Sequence, residues 1–275
     1  MLTLRELIAK STQYLTEKGV SNPRKEAGEL IAHCLQCSRL DLYMDIDRPL
    51  EESELEQCRH FLKRRGQREP LAYMVGEMEF FHCRLDVSPH VLIPRQETEI
   101  LVDKIVKEEN LEEKILWDLC TGSGAIGISL KKAVPSLQVV LSDISDKALE
   151  VAQNNARKNE VEVQFLLGDL FAPFQGLKTD FIVCNPPYIS EEEYAHLEPE
   201  VRLFEPRGAL VAQEGLEFYR RLALEAPNYL QPEGVLWLEI GAGQGEELHK
   251  IFASWKQCTI EKDWSGHDRF VRAKR

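Results

Sequence analysis

The sequence predicts an α/β protein in which a small helical bundle precedes a mostly parallel, seven-stranded sheet whose last strand runs antiparallel. From Ile115 onward, short apolar runs alternate with helical stretches, and such alternation implies parallel strands joined by helices on both faces of the sheet. The last two runs, Gln257 to Lys262 and Arg269 to Ala273, are separated only by Asp263 to Asp268. That is too little chain for a crossover helix, so the final strand must return antiparallel. The residues before Gly66 carry helical periodicity throughout.

Residues 2 to 18 place Leu4, Leu7, Ile8 and Leu15 near helical spacing, and Gly19 closes the segment as a glycine past a helix C-terminus does. Asn22 as cap and Pro23 at the first helical position open a second helix to about Leu35. Ser38 caps a short third segment. A fourth runs from Glu51 through Leu55, Cys58, Phe61 and Leu62 into Lys63-Arg64-Arg65, whose charges suit a helix C-terminus before Gly66. Between Gln67 and Pro94 the pattern changes, and Glu77 to Phe81 with Arg84 to Val87 predict a hairpin. Leu92 to Glu99 then enters a helix to about Val106, its approach stiffened by Pro89 and Pro94. The expected division is a helical domain over 1–70, a linker with a hairpin over 71–94 and a catalytic domain over 95–275. Within the last, strands are expected at 115–119, 137–141, 161–166, 181–184 and 235–240, with helices near 124–134, 145–159, 215–230 and 244–254. No internal repeat or low-complexity segment interrupts them.

With 43% hydrophobic and 29% charged residues the chain reads as a soluble globular protein, and no apolar stretch approaches a membrane span. The N-terminus shows no basic flank ahead of an apolar core, so a cytoplasmic protein without a membrane partner is expected. Seven cysteines lie scattered without a disulfide framework, and the close pair Cys34 and Cys37 beside His33 has no second pair at zinc spacing. No metal is expected. The net charge of −12 is uneven: residues 1–85 hold 13 basic and 14 acidic residues, which leaves 21 and 32 for the remainder. A polyanionic substrate would favour the opposite balance around its site, so no nucleic-acid substrate is expected.

Two loops carry the chemistry. Strand 115–119 runs into Cys120-Thr121-Gly122-Ser123-Gly124-Ala125-Ile126-Gly127 and straight on into a helix, an arrangement that brings backbone close to a ligand at a helix N-terminus. Gly122, Gly124 and Gly127 match the dinucleotide fingerprint, with Asp143 at the end of the next strand. Against a dinucleotide stands Asp118 ahead of the loop, an acid that repels pyrophosphate and suits a cationic amino-acid head. A third strand ends in Gly168-Asp169-Leu170-Phe171, an acid beside an apolar wall that suits an adenine. Together they describe a nucleoside with a charged amino-acid tail, and S-adenosyl-L-methionine is such a ligand. The second loop is Asn185-Pro186-Pro187-Tyr188, where two prolines stop the apolar run Phe181 to Cys184 at its C-terminal end. Taken alone, each acid could instead cap a helix.

The chain resembles the PrmC/HemK family of S-adenosylmethionine-dependent methyltransferases, which modify a glutamine in peptide chain release factors. The resemblance rests on Leu92-Ile93-Pro94-Arg95-Gln96-Glu97-Thr98-Glu99, Asp118 to Gly127, Ser142-Asp143-Ile144-Ser145, Gly168 to Phe171, Asn185 to Tyr188 and Glu205-Pro206-Arg207-Gly208-Ala209-Leu210. It implies a class I, Rossmann-like methyltransferase fold and methylation of the amide nitrogen N5 of the glutamine in a release factor's GGQ motif. It further implies that the N-terminal bundle recognises the protein substrate. Thr121, Gly122, Ser123, Gly124 and Ala125 would contact the methionine portion of the cofactor, Asp143 the ribose, and Asp169 and Leu170 the adenine side. Asn185, Pro186, Pro187 and Tyr188 would hold the substrate amide, with Arg95 and Glu205 assigned to substrate binding. A monomer is expected. Cys120 stands where the family often has glycine, and Leu170 where some members have an aromatic residue.

A carboxamide nitrogen is a poor nucleophile because its lone pair is delocalised. The Asn185 side-chain oxygen and the Pro186 carbonyl could accept both of its N–H groups, with Tyr188 against the flat face. The same grip suits an adenine or cytosine amine, or a glutamine of a ribosomal protein. A sensor that only binds the cofactor would not need the turn. His196 and His267 lie near candidate loops without an assigned role.

Overall fold

Helical periodicity at the N-terminus becomes a helical unit in the computed structural model, which describes residues 2–275. Its helices are α1 (Leu4–Glu17), α2 (Pro23–Cys34), α3 (Arg39–Met44), α4 (Glu52–Gly66) and α5 (Leu71–Val75). Thr3 and Glu6 close a capping box on α1, and Ser38 and Asp41 close one on α3. Asn22 makes no side-chain cap, so the start of α2 rests on Pro23 alone. Leu7, Leu15, Leu30, Ile31, Cys58 and Leu62 fill the core of the unit, with Cys34 beside Cys58.

One sequence expectation changes here. Gly66 is the last helical residue, and its lack of a side chain makes room for Tyr14, whose hydroxyl would lie 2.4 Å from a Cβ. The left-handed residue past the helix is Arg68, with φ of 72°. Lys63, Arg64 and Arg65 fall in the last turn of α4 as expected, but Arg65 is 3% exposed and pairs with Glu26 and, at 3.1 Å, with Glu200. A buried guanidinium is tolerable only where carboxylates meet it. Glu200 belongs to the segment Glu198–Phe204, which packs in this unit although it lies far along the chain.

The second unit comprises Glu77–Leu197 and Glu205–Arg275. It begins with the hairpin β1 (Glu77–Phe80) and β2 (Cys83–Asp86), joined by Phe81 and His82, both at positive φ. That is the turn geometry whose twist suits a tight hairpin. There follow α6 (Gln96–Glu108), β3 (Ile115–Leu119), α7 (Ala125–Ala133), β4 (Gln138–Asp143), α8 (Asp146–Lys158), β5 (Gln164–Leu167), β6 (Thr179–Cys184), α9 (Glu191–Tyr194), α10 (Pro199–Phe204, of the first unit), α11 (Glu217–Glu225), β7 (Leu230–Glu239), α12 (Gly245–Ile251), β8 (Gln257–Lys262) and β9 (Asp268–Lys274).

Seven strands form one sheet in the order β5-β4-β3-β6-β7-β9-β8, parallel except for β9. The antiparallel last strand was legible from the short 263–268 connection; its insertion between β7 and β8 was not. Alternation along the strands feeds two cores. Leu116, Val183 and Trp237 point to one face with Leu101 and Ile128, whereas Trp117, Ile182 and Leu236 point to the other with Tyr219 and Phe252. The chain leaves β3 toward β4 and β5, then returns to β6 on the opposite side. This reversal opens a crevice at the C-terminal strand ends, where ligands of such sheets bind. Among the described residues no helix is long and apolar enough to cross a membrane.

Candidate active site

A cavity of about 610 Å³ occupies that crevice. Thr121, Gly122, Ser123 and Ala125 line it from the glycine loop, Asp143 and Ile144 from the end of β4, Asp169 and Leu170 after β5, and Asn185 and Pro187 after β6. Gly124 is off the wall and serves the turn, at φ of 81°.

The loop is held from beneath. Asp118, 1% exposed, accepts from the Thr121 hydroxyl at 2.6 Å and from the Gly127 amide at 2.9 Å. Burial pushes its pKa up to about 7 against those bonds. It is therefore a brace for the loop and not a wall residue meeting a ligand's amino group, as its position ahead of the loop had suggested. Gly127 is required by close packing, because a Cβ there would stand 2.2 Å from Leu141 Cδ2. Cys120 sits at φ of 55°, a left-handed value that costs a side chain some strain.

Asp143 accepts from the Gly122 amide and the Ser145 amide, each at 2.9 Å, so it ties the loop to the end of β4. Burial raises its pKa, and the backbone donors oppose that rise. Ser145, not Asp143, caps α8 by accepting from Ala148. The carboxylate keeps acceptor capacity for a ligand hydroxyl. Asp169 meets Arg221 of α11 in a two-pronged pair at 3.2 and 2.9 Å, and both line the cavity. Leu170, 3% exposed, and Ile144, 72% exposed, give it apolar walls.

On the other side, β6 pairs with β7 so that Cys184 faces Leu238. The next residues on the two strands are Asn185 and Glu239. Glu239 is 1% exposed, accepts from the Thr98 hydroxyl at 2.6 Å and has the Asn185 side chain beside it. Burial pushes its pKa up to about 7, against the Thr98 bond, the nearby charge of Arg269 and the Asn185 amide. The exit of the turn is fixed by Gln244, whose amide donates to the Tyr188 and Gly215 carbonyls at 3.1 Å each and accepts from Gly241 at 2.8 Å. Ile189 bridges to Val211 just beyond.

The structure brings most of the expected site residues to one cavity and moves others off it. Pro186 is buried within the turn and Tyr188 is half-buried, and neither is among the residues lining the cavity. Arg95 and Glu205 are off the wall as well. Glu205, 6% exposed, accepts from the Ile93 amide at 3.1 Å and from Arg95, which clamps the segment leading into α6. That segment lines the cavity through His90, Val91, Leu92 and Pro94. His196 is occupied with the Glu192 carbonyl and His267 lies beside Asp263, both outside the cavity. Sequence reasoning missed Arg221, Glu239, Gln244, Phe218 and His90, none of which sits in a local motif.

Residues 6–76 match the PrmC N-terminal domain family and residues 95–264 the methyltransferase small domain family. A release factor glutamine methyltransferase of Chlamydia trachomatis is 42% identical over 97% of this chain and 92% of its own length. One from Geobacter sulfurreducens is 40% identical over 98% and 95%. The chain belongs to the release factor glutamine methyltransferase family. The fold recurs in a Pyrococcus furiosus methyltransferase, at TM-score 0.53 and 15% identity over 70% of this chain and 89% of that one. It recurs again in the T. thermophilus 16S rRNA N2 G1207 methyltransferase in complex with AdoMet and guanosine, at TM-score 0.53 and 17% identity over 72% and 49%. Those two likenesses concern fold alone.

Proposed function

We propose that this chain transfers a methyl group from S-adenosylmethionine to the side-chain amide nitrogen N5 of a glutamine in peptide chain release factors, at their GGQ motif, as a cytoplasmic monomer that supports translation termination. The observation that carries the reading is that Asn185 lines the same cavity as the glycine loop, Asp143 and Asp169, across from them. Full-length similarity to release factor glutamine methyltransferases supports the choice of substrate.

The residues fit the cofactor. Nothing stands within 4 Å of where a Gly122 Cβ would be, so the loop is open to a close approach there. Asp143 is suited to the ribose hydroxyls. Asp169 offers an acceptor to the adenine amine, beside Ile144 and Leu170 as apolar walls. When bound, the cofactor supplies an electrophilic methyl group on a sulfonium that departs without protonation. The chain's own task is therefore positioning and electrostatics. The Asn185 side-chain oxygen and the Pro186 carbonyl accept the two N–H groups of the substrate amide, raising electron density on its nitrogen and aiming it. Pro187 walls the position, and Tyr188 with Gln244 keeps the turn from moving. The helical unit, matched to the PrmC N-terminal domain, selects the protein, because a single glutamine side chain offers little surface for discrimination.

Incubation of the enzyme with labelled S-adenosylmethionine and, in parallel, purified release factors, ribosomal proteins and DNA tests the proposal. Label on one glutamine of a release factor is expected. Label confined to DNA or to a ribosomal protein would replace the substrate.

A further inference from the structure

We propose that Glu239 is a positioning residue for methyl transfer, which acts by dictating which end of the Asn185 amide faces the cavity. The inference rests on the assignment of Asn185 as the residue that holds the substrate amide. A carboxamide has two ends of nearly equal shape and opposite character, an acceptor oxygen and a donor nitrogen. Sterics alone do not choose between them, so hydrogen-bond partners must. Asn185 and Glu239 follow the paired residues Cys184 and Leu238 on adjacent parallel strands, which sets their side chains next to each other, and the Asn185 amide favours the ionised form of Glu239. A carboxylate only accepts, so Asn185 presents Nδ2 to Glu239 and Oδ1 to the other side. The flipped amide would set oxygen against carboxylate and a donor against the donors of the substrate.

The carboxylate itself is anchored. Thr98, 4% exposed, donates to Oε2 at 2.6 Å, and the Tyr219 hydroxyl donates to the Glu239 backbone carbonyl at 3.0 Å. Neither oxygen of Glu239 is left to rotate toward solvent, since the residue is buried. Protonation would reverse the instruction, because a carboxylic acid can donate to Oδ1 and leave Nδ2 facing the substrate. Burial favours that protonation; the groups that face Glu239 are Thr98 and Glu97 of α6, Arg269 of β9 and Asn185 with Tyr188 of the turn. Arg269, Thr98 and Asn185 favour the carboxylate, and Glu97 opposes them. Turnover should therefore fall as the pH drops through the neutral range.

The test compares wild type, Asn185→Ala, Glu239→Gln and Thr98→Val in kcat from about pH 5.5 to 9. It also follows the Asn185 side-chain NH2 by NMR in the enzyme without cofactor, where Asn185→Ala identifies the signal. Glu239→Gln is expected to lower kcat about 10-fold or more, to lose the acid limb and to leave cofactor affinity unchanged. Thr98→Val should move the limb to higher pH, since it removes a donor to the carboxylate. In wild type the Asn185 NH2 signal should shift with the same midpoint as the limb, and in Glu239→Gln it should not. A Glu239→Gln enzyme with wild-type kcat and an intact acid limb, alongside an inactive Asn185→Ala, would overturn the role of Glu239 and leave that of Asn185 standing. An active Asn185→Ala would instead remove the assignment beneath it. Should Glu239→Gln fail to fold, Thr98→Val decides, and an unmoved limb overturns the inference.

Discussion

The two sides of the cavity solve different problems with one device, a buried carboxylate at the end of a strand. Under the glycine loop, Asp118 accepts from a hydroxyl three residues on and a backbone amide nine residues on, and what it holds is the course of the chain. Beside the Asn-Pro-Pro-Tyr turn, Glu239 accepts from Thr98 and lies next to Asn185, and in the proposal what it holds is the orientation of a side chain. A cofactor met by backbone amides and strand-end acids needs a loop of defined shape. A substrate amide met by another amide needs that amide to show its oxygen. The first requirement is local in sequence and the second is not.

The sharpest way to break the comparison is Asn185→Ala. It should lower kcat by about 100- to 1000-fold, the size seen when one positioned hydrogen-bonding group is removed, while cofactor affinity measured by calorimetry stays within about twofold of wild type. Asp143→Ala should do the reverse. Losing an acceptor of charged character should weaken cofactor binding by about 1.5 to 3 kcal/mol, with turnover at saturating cofactor far less changed. Gly127→Ala touches neither ligand. It should cost about 1 to 3 kcal/mol of stability in chemical denaturation, because its Cβ would be driven into Leu141 and toward Asp118.

The smallest effect concerns pH and stability. Asp118 and Glu239 each titrate near 7 when folded, well above an ordinary carboxyl. Such a group binds its proton more tightly folded than unfolded. Its contribution is fully present below about pH 4 and is lost as the pH rises toward 7. Glu239→Gln, which cannot ionise, should therefore gain in Tm relative to wild type between those limits. A Tm difference that does not change with pH would show that the carboxyl is already ionised throughout.

Legibility followed the same division. Gly122, Gly124 and Gly127, the prolines after Asn185 and the short 263–268 connection announce backbone geometry, and backbone geometry is written in neighbouring residues. Glu239 meets Thr98 across 141 positions and Arg221 meets Asp169 across 52. Those partnerships exist only once the order of the strands is known. For the same reason the hairpin length revealed that β9 is antiparallel but not that it enters between β7 and β8. Arg65 stands at a helix C-terminus as expected, but its buried pairing with Glu26 and Glu200 was not legible, because both partners lie far along the chain.

A double-mutant cycle on kcat/KM for the release factor tests the central claim that the two sides act separately. Asp143→Ala and Asn185→Ala should add within about 0.5 kcal/mol, whereas Glu239→Gln should have almost no further effect once Asn185 is alanine. Strong coupling between Asp143 and Asn185, with Glu239 and Asn185 additive, would contradict the account.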